Sequence, residues 1–228
     1  PDGAPAGKVE GARALGAEVL CEGVTTIQRK ARAEAEAAAR GLTIVPPFDH
    51  EHVIAGQGTV GLEILAQCPG VGTIYVPMSG GGLISGIAAA IKRSRPSVRV
   101  IGVEPAGAAR MTASLRAGEP VTIAAKAGIT DGLLAVRPGE KTFRHVQAFV
   151  DQVVTIEDDS VVPALRWRFA EAKVVAEPSG AITVAAARRD AEAGALDTRS
   201  PVVAVISGGN VEAAAFARYL TGASDEQG

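Results

Sequence analysis

The chain lacks the marks of a metal cluster, a disulfide scaffold, a membrane span or a nucleic-acid surface. Its two cysteines, Cys21 and Cys68, stand far apart with no Cys-x-x-Cys pair, so neither a zinc site nor a disulfide framework is expected. Two reduced thiols are the plainer reading. No run of about 18 apolar residues occurs, which leaves no candidate transmembrane helix. Pro1-Asp2-Gly3-Ala4-Pro5 has neither the charged nor the apolar region of a secretion signal. A soluble cytoplasmic protein without a membrane partner is the expectation. Lysine and arginine (23) nearly balance aspartate and glutamate (25), for a net charge of −2. That balance provides no basic stripe, so nucleic acid is not an expected partner. Internal repeats and low-complexity tracts are also missing.

What is present is a core-forming chain of 228 residues, 47% hydrophobic, enough for one large or two small domains. Short β-branched runs alternate with alanine-rich runs of helical period. Strands are expected at Glu18–Leu20, Thr43–Val45, Thr73–Pro77, Val98–Glu104, Gln152–Ile156 and Val202–Ile206. Helices are expected near Thr25–Arg40, Val53–Gln67, Leu83–Arg93, Ala108–Ala117, Asp158–Ala172 and Gly180–Ala193. Strands apolar on both faces, joined by crossovers long enough for a helix, indicate an α/β fold with a parallel twisted sheet flanked by helices. Pro46-Pro47-Phe48-Asp49 breaks this pattern and is a candidate hinge, while Gly118–Pro138 has no sustained period and is expected to be a loop.

The most informative stretch is Thr73-Ile74-Tyr75-Val76-Pro77-Met78-Ser79-Gly80-Gly81-Gly82-Leu83, an apolar strand running into three glycines and then an alanine-rich helix. Glycines let successive N–H groups converge, and a helix start adds unpaired N–H groups and a positive dipole end. A phosphate ester is the natural guest. A tight turn alone explains the loop poorly, because one glycine suffices and each extra costs roughly 0.5–1 kcal/mol of chain entropy. A P-loop is excluded, since no lysine follows until Lys92. A dinucleotide fingerprint fits imperfectly: Ser85 stands where the third glycine belongs and Gly86 comes one residue late. Glu104, at the end of the next strand, would be its ribose-binding acid.

Three more motifs accompany the loop. Ser207-Gly208-Gly209-Asn210 closes the last strand, and in a parallel sheet it would share a rim with the glycine loop. Ser207 is then a candidate ligand contact or, more plainly, the cap of a helix starting near Val211. In Glu177-Pro178-Ser179-Gly180 the proline fixes a helix entry, the serine is a candidate cap, and Glu177 is either a site acid or a solvated one. Ala55-Gly56-Gln57-Gly58-Thr59 places two glycines in a helical stretch, which points to close packing or to a cofactor's approach.

Together with Val103-Glu104-Pro105 and Thr130-Asp131-Gly132, these motifs resemble, in order and spacing, the threonine dehydratase and serine racemase group of fold-type II pyridoxal-phosphate enzymes, in the tryptophan synthase beta-like superfamily. The resemblance implies pyridoxal 5'-phosphate as cofactor, its phosphate held by Ser79, Gly80, Gly81, Gly82 and Leu83, its ring nitrogen by Ser207, with Gly132 and Glu177 also in the site. A serine at that nitrogen, unlike an aspartate, does not stabilise a pyridinium charge, which favours prompt loss of a β-substituent. The implied reaction removes water from L-threonine, L-serine or a related β-hydroxy amino acid, giving a 2-oxo acid and ammonia. A serine racemase-like or hydroxyaspartate dehydratase-like enzyme is the alternative within the group. Outside it stands a non-catalytic module binding a phosphorylated ligand or a dinucleotide.

The resemblance also implies parts that the chain does not contain. The family's Schiff-base lysine and its Ser/Gly/Asn-rich substrate loop have no counterpart, and Lys8, Lys30, Lys92, Lys126, Lys141 and Lys173 match no such position. Residues 1–48 then read as the remnant of a smaller domain and 49–228 as the large cofactor-binding domain of a chain lacking its N-terminal third. By this reading the chain has no catalytic residue of its own and is inactive alone, and the complete protein is a homo-oligomer. Some relatives hold a divalent cation through the equivalent of Glu104 and an aspartate six residues later. Arg110 stands at that second place, so no metal is expected.

Overall fold

The computed structural model describes residues 1–124 and 128–222, which leaves Lys126 outside the described residues. The chain divides into two compact units, Pro1–Pro46 and the remainder from Pro47. The first unit holds two helices, α1 (Ala6–Ala14) and α2 (Thr26–Arg40). A capping box starts α2: Thr25 Oγ1 accepts the Gln28 N–H while Gln28 Oε1 accepts the Thr25 N–H. Gly41, at φ 65°, ends it in the left-handed region. The strands expected at Glu18–Leu20 and Thr43–Val45 are absent. Both segments have strand-like sequence, but a strand exists only through ladder bonds, and among the described residues neither segment has a ladder partner. Helix α1 rises from a stretch whose apolar periodicity is too weak to reveal it.

The second unit is the α/β body. In chain order it comprises α3 (Glu51–Gln67), β1 (Thr73–Pro77), α4 (Gly82–Ser94), β2 (Arg99–Pro105), α5 (Arg110–Ala117), α6 (Glu140–Phe149), β3 (Gln152–Ile156), α7 (Asp158–Ala172), α8 (Pro178–Glu192), β4 (Val202–Ala204) and α9 (Ala213–Thr221). The sheet runs β3-β2-β1-β4 and every pairing is parallel. Its register aligns Tyr75 with Ile101 and with Ala204. β4 is shorter than its apolar run: only Val202–Ala204 form strand, although the Val205 N–H still bonds the Tyr75 carbonyl at 2.9 Å. Helix α6 is an addition to the elements expected from sequence.

Alternation along the strands builds two cores. Ile74, Val76 and Val100 face α4 and α6, meeting Ile84, Ile87, Ile91, Phe143 and Val146. Tyr75, Ile101 and Val103 face α7 and α8, meeting Val161, Leu165, Ile182 and Ala186. The Tyr75 hydroxyl, carried into the second core, donates to Asp190 Oδ2 at 2.7 Å and so ties β1 to α8. Burial and this bond push the phenol's pKa up.

The glycines of the Gly56-Gln57-Gly58 motif have different roles. A methyl on Gly58 would stand 3.3 Å from the Gly86 carbonyl, and one on Gly86 only 2.2 Å from the Ile54 carbonyl, so α3 and α4 cross backbone to backbone. Gly61 extends that crossing, while Gly56 faces open space. Close packing therefore accounts for Gly58 and Gly86 but not for Gly56. Among the described residues no helix is long and apolar enough to cross a membrane.

Candidate active site

β1 and β4 are neighbours with parallel direction, so the loops at their carboxyl ends leave the sheet on the same rim. From β1 comes the glycine loop. Gly81 is the N-cap of α4 at φ 97°, a conformation that a side chain strongly disfavours. The Cβ side of all three glycines is filled by protein: a methyl on Gly80 would stand 2.5 Å from the Phe48 ring, one on Gly82 2.8 Å from Phe48 Cβ, and one on Gly81 2.9 Å from Thr142 Cβ. The glycines thus allow Phe48 and α6 to pack directly on the loop backbone.

Hydrogen bonding fixes which way the peptide planes face. The Gly80 carbonyl accepts from Thr142 Oγ1 at 2.6 Å and from the Gly139 N–H at 3.3 Å. Asp49 holds that corner: its carboxylate accepts the N–H groups of Glu140, Lys141 and Thr142 at 2.9 to 3.1 Å and so caps α6. The loop's N–H groups are treated differently. The first intrahelical bond of α4 runs from the Ser85 N–H to the Gly81 carbonyl at 3.0 Å. Among the described residues, the N–H groups of Ser79, Gly80, Gly81, Gly82 and Leu83 meet no acceptor in the chain. Uncommitted amides at the start of a 13-residue helix suit a phosphate group, with no cation required. The Ser79 hydroxyl accepts the Ala135 N–H at 3.2 Å and keeps its own proton free to donate.

A second group of residues forms around the start of α8. Glu177 is its N-cap and Pro178 its first residue. Ser179 does not cap α8 as expected. It is buried, and its Oγ accepts the Gly132 N–H at 2.9 Å, joining the Thr130–Gly132 loop to α8. The Glu177 N–H bonds the Gly208 carbonyl at 3.1 Å, and Glu177 Oε1 lies so close to Gly208 that a methyl there would stand 2.3 Å from it. Glu177 is half-buried between Gly132 and Gly208, which sets aside its reading as a solvated loop acid. Ser207 is exposed, and its Oγ makes no hydrogen bond among the described residues. It caps no helix, because α9 begins at Ala213 behind Glu212.

Glu104 overturns its expected ribose role. It is fully buried, and its oxygens accept the Met111 and Thr112 N–H groups at 3.0 and 2.8 Å, so it serves the start of α5. Arg110, also fully buried, donates from Nη1 to the Met78 carbonyl at 3.2 Å and from Nη2 to the Leu133 carbonyl at 2.5 Å. Burial draws its pKa down to about 10, with the Glu104 charge working against that shift. Among the described residues no group of three His, Cys, Asp or Glu side chains gathers as a metal site. Sequence reasoning missed Phe48, Asp49 and Thr142. The only trace of Phe48 and Asp49 was Pro46–Asp49, read as a hinge, and Thr142 left none.

Known proteins agree with this architecture. The family model described as pyridoxal-phosphate dependent enzyme matches residues 1–208. An L-threonine ammonia-lyase of Thermotoga maritima is 41% identical over 93% of this chain and 52% of its own length. A serine racemase of Oryza sativa subsp. indica is 38% identical over 93% of this chain and 63% of its own. The structure of the processed form of threonine deaminase isoform 2 from Solanum lycopersicum superposes with a TM-score of 0.89 at 34% identity, covering 98% of this chain and 65% of that one. The chain spans between half and two thirds of the length of these relatives. A helix start with its amides left open, in a fold shared with these proteins, is what a phosphorylated cofactor requires, and the chain belongs to the pyridoxal-phosphate-dependent enzyme family.

Proposed function

We propose that this chain is the cofactor-binding portion of a lyase that eliminates water from L-threonine, with L-serine as a second substrate, the resulting enamine then being hydrolysed by water to a 2-oxo acid and ammonia. The observation that carries it is the set of open amides at Ser79–Leu83. The identity to an L-threonine ammonia-lyase supports the substrate class. The roles proposed are phosphate binding by Ser79, Gly80, Gly81, Gly82 and Leu83, a hydrogen bond from Ser207 to the ring nitrogen, and shaping of the opposite wall by Gly132 and Glu177. When bound, pyridoxal phosphate supplies an electron sink for cleavage at the β-carbon. The protein's contribution here is to bind and orient: amides grip the phosphate, and a neutral serine hydroxyl leaves the ring nitrogen without a full positive charge.

The proposal includes the domain reading, with residues 1–48 belonging to a smaller domain and 49–228 to the large one, as well as a cytoplasmic location and a homo-oligomer for the complete enzyme. It also includes inactivity of this chain alone. Lys92 sits near the far end of α4, paired with Asp151 at 2.7 Å, and Lys141 pairs with Glu51 at 3.2 Å. Both ammonium groups are thus engaged by carboxylates. The test is intact mass after incubation with pyridoxal phosphate and borohydride reduction, alongside an assay of 2-oxo acid from L-threonine and L-serine. The expected result is saturable cofactor binding, no modified lysine and no product. A single modified lysine, or turnover, would refute the inactivity, and no binding at all would refute the cradle. The identity to a serine racemase favours racemisation as the second reading, separable by chiral analysis of products from a complete chain.

A further inference from the structure

We infer that Arg110 is a positioning residue of the phosphate cradle, a buried guanidinium that clasps the carbonyl before the glycine loop to the carbonyl after Gly132. The inference rests on the cradle reading above and adds to it the group that orients the cradle's first amide.

Arg110 has no exposed surface, and its two bonds go to Met78 on one site loop and Leu133 on the other. Its Nε has no partner among the described residues. Among the described residues no carboxylate forms an ion pair with it either, since Glu104 spends both oxygens on the start of α5 and balances the arginine only through space. Burying a guanidinium against neutral oxygens is costly, and an apolar side chain of similar volume would often serve stability as well or better. Stability alone therefore explains this arginine poorly.

Peptide geometry supplies the missing reason. In a trans peptide the C=O and the following N–H point in opposite directions within one plane. A donor pulling on the Met78 carbonyl therefore turns the Ser79 N–H away from Arg110. A cation on that carbonyl also polarises the peptide and strengthens the same N–H as a donor. The Gly80 carbonyl, held by Thr142 and Gly139, fixes the Gly81 N–H in the same manner. Arg110 thus does with a full charge for the first amide of the cradle what Thr142 does with a hydroxyl for the third. Through Leu133 it holds the Thr130–Gly132 loop at a set distance from that amide.

The experiment compares this chain with its R110M and R110K variants, using inorganic phosphate and pyridoxal phosphate as probes. Affinity is read by titration calorimetry, folding by circular dichroism, and the Ser79 amide by its ¹⁵N–¹H resonance. Expected are folded variants, phosphate affinity weakened about tenfold in R110M and less in R110K, which keeps the charge but loses the fork, and a displaced Ser79 resonance. A lowered melting point with unchanged phosphate affinity would overturn the inference and leave Arg110 a purely structural group. Failure of both variants to fold would overturn it too. Absence of phosphate and cofactor binding in the unmodified chain would defeat the cradle reading itself, and this inference with it.

Discussion

At Gly81 a single backbone angle decides whether the loop can exist. At φ 97°, with Thr142 Cβ 2.9 Å from where a methyl would stand, alanine meets both torsional strain and a contact that must give. Gly81→Ala is expected to cost roughly 1–2 kcal/mol and lower the melting temperature by roughly 2–8 °C, measured by calorimetry. An unchanged midpoint would show that the loop has another conformation available. Arg110 makes a prediction about pH. Its folded pKa of about 10 lies below the ordinary 12.5, so below about 10 folded and unfolded chains both hold the proton and its contribution to stability is flat. Between those values the unfolded chain binds more protons, and the contribution rises with pH. The difference in melting temperature between the unmodified chain and R110M is therefore expected to stay constant from roughly pH 6 to 9. A slope within that range would mean that another group titrates in concert with the arginine.

Between elements, the crossing of α3 over α4 separates two glycines that look alike in sequence. Gly56 faces open space within a helix, so Gly56→Ala is expected to stabilise by roughly 0.5–1 kcal/mol, raising the melting temperature by roughly 1–4 °C. Gly86→Ala, pressed to 2.2 Å from the Ile54 carbonyl, forces the helices apart and is expected to cost roughly 1–3 kcal/mol or more. Thermal unfolding of both variants checks the pair, and a shared sign would contradict the crossing. The same scale shows what could be read from the chain. The nearly continuous apolar run at Thr73–Pro77 announced a buried parallel strand, because a sheet covered on both faces leaves no polar alternation to confuse the pattern, while the β-branched residues of Gln152–Ile156 announced the edge strand β3, whose burial does alternate. The glycine loop was legible for a similar reason, since its composition serves few other purposes. Asp49 was not legible, because its carboxylate caps a helix 91 residues further on, and local sequence carries no sign of so distant a bond. Glu18–Leu20 failed in the opposite direction: strand propensity was present, but the ladder was not.

Across the molecule, the sheet of the second unit ends at β3 and β4, and among the described residues neither outer edge has a strand partner. Trp167, Phe169, Val174 and Val175 are also exposed, each by 36% or more. Open edges and apolar surface together favour association. Sedimentation velocity of the 228-residue chain is expected to show concentration-dependent oligomers, reduced by Val174→Lys with Val175→Lys. A monomer at every concentration would contradict this.

The Gly80 carbonyl is gripped by a hydroxyl 62 residues away, and the Met78 carbonyl by a guanidinium 32 residues away. A loop shaped by such remote partners has little local preference of its own to fold early. Its closure waits on long-range contacts whose chain entropy must first be overcome. If the loop is the phosphate cradle proposed above, cofactor capture would report that folding has finished: a nascent or partly unfolded chain carries the same glycines but no cradle, and would gain affinity for phosphate only with its last tertiary contacts.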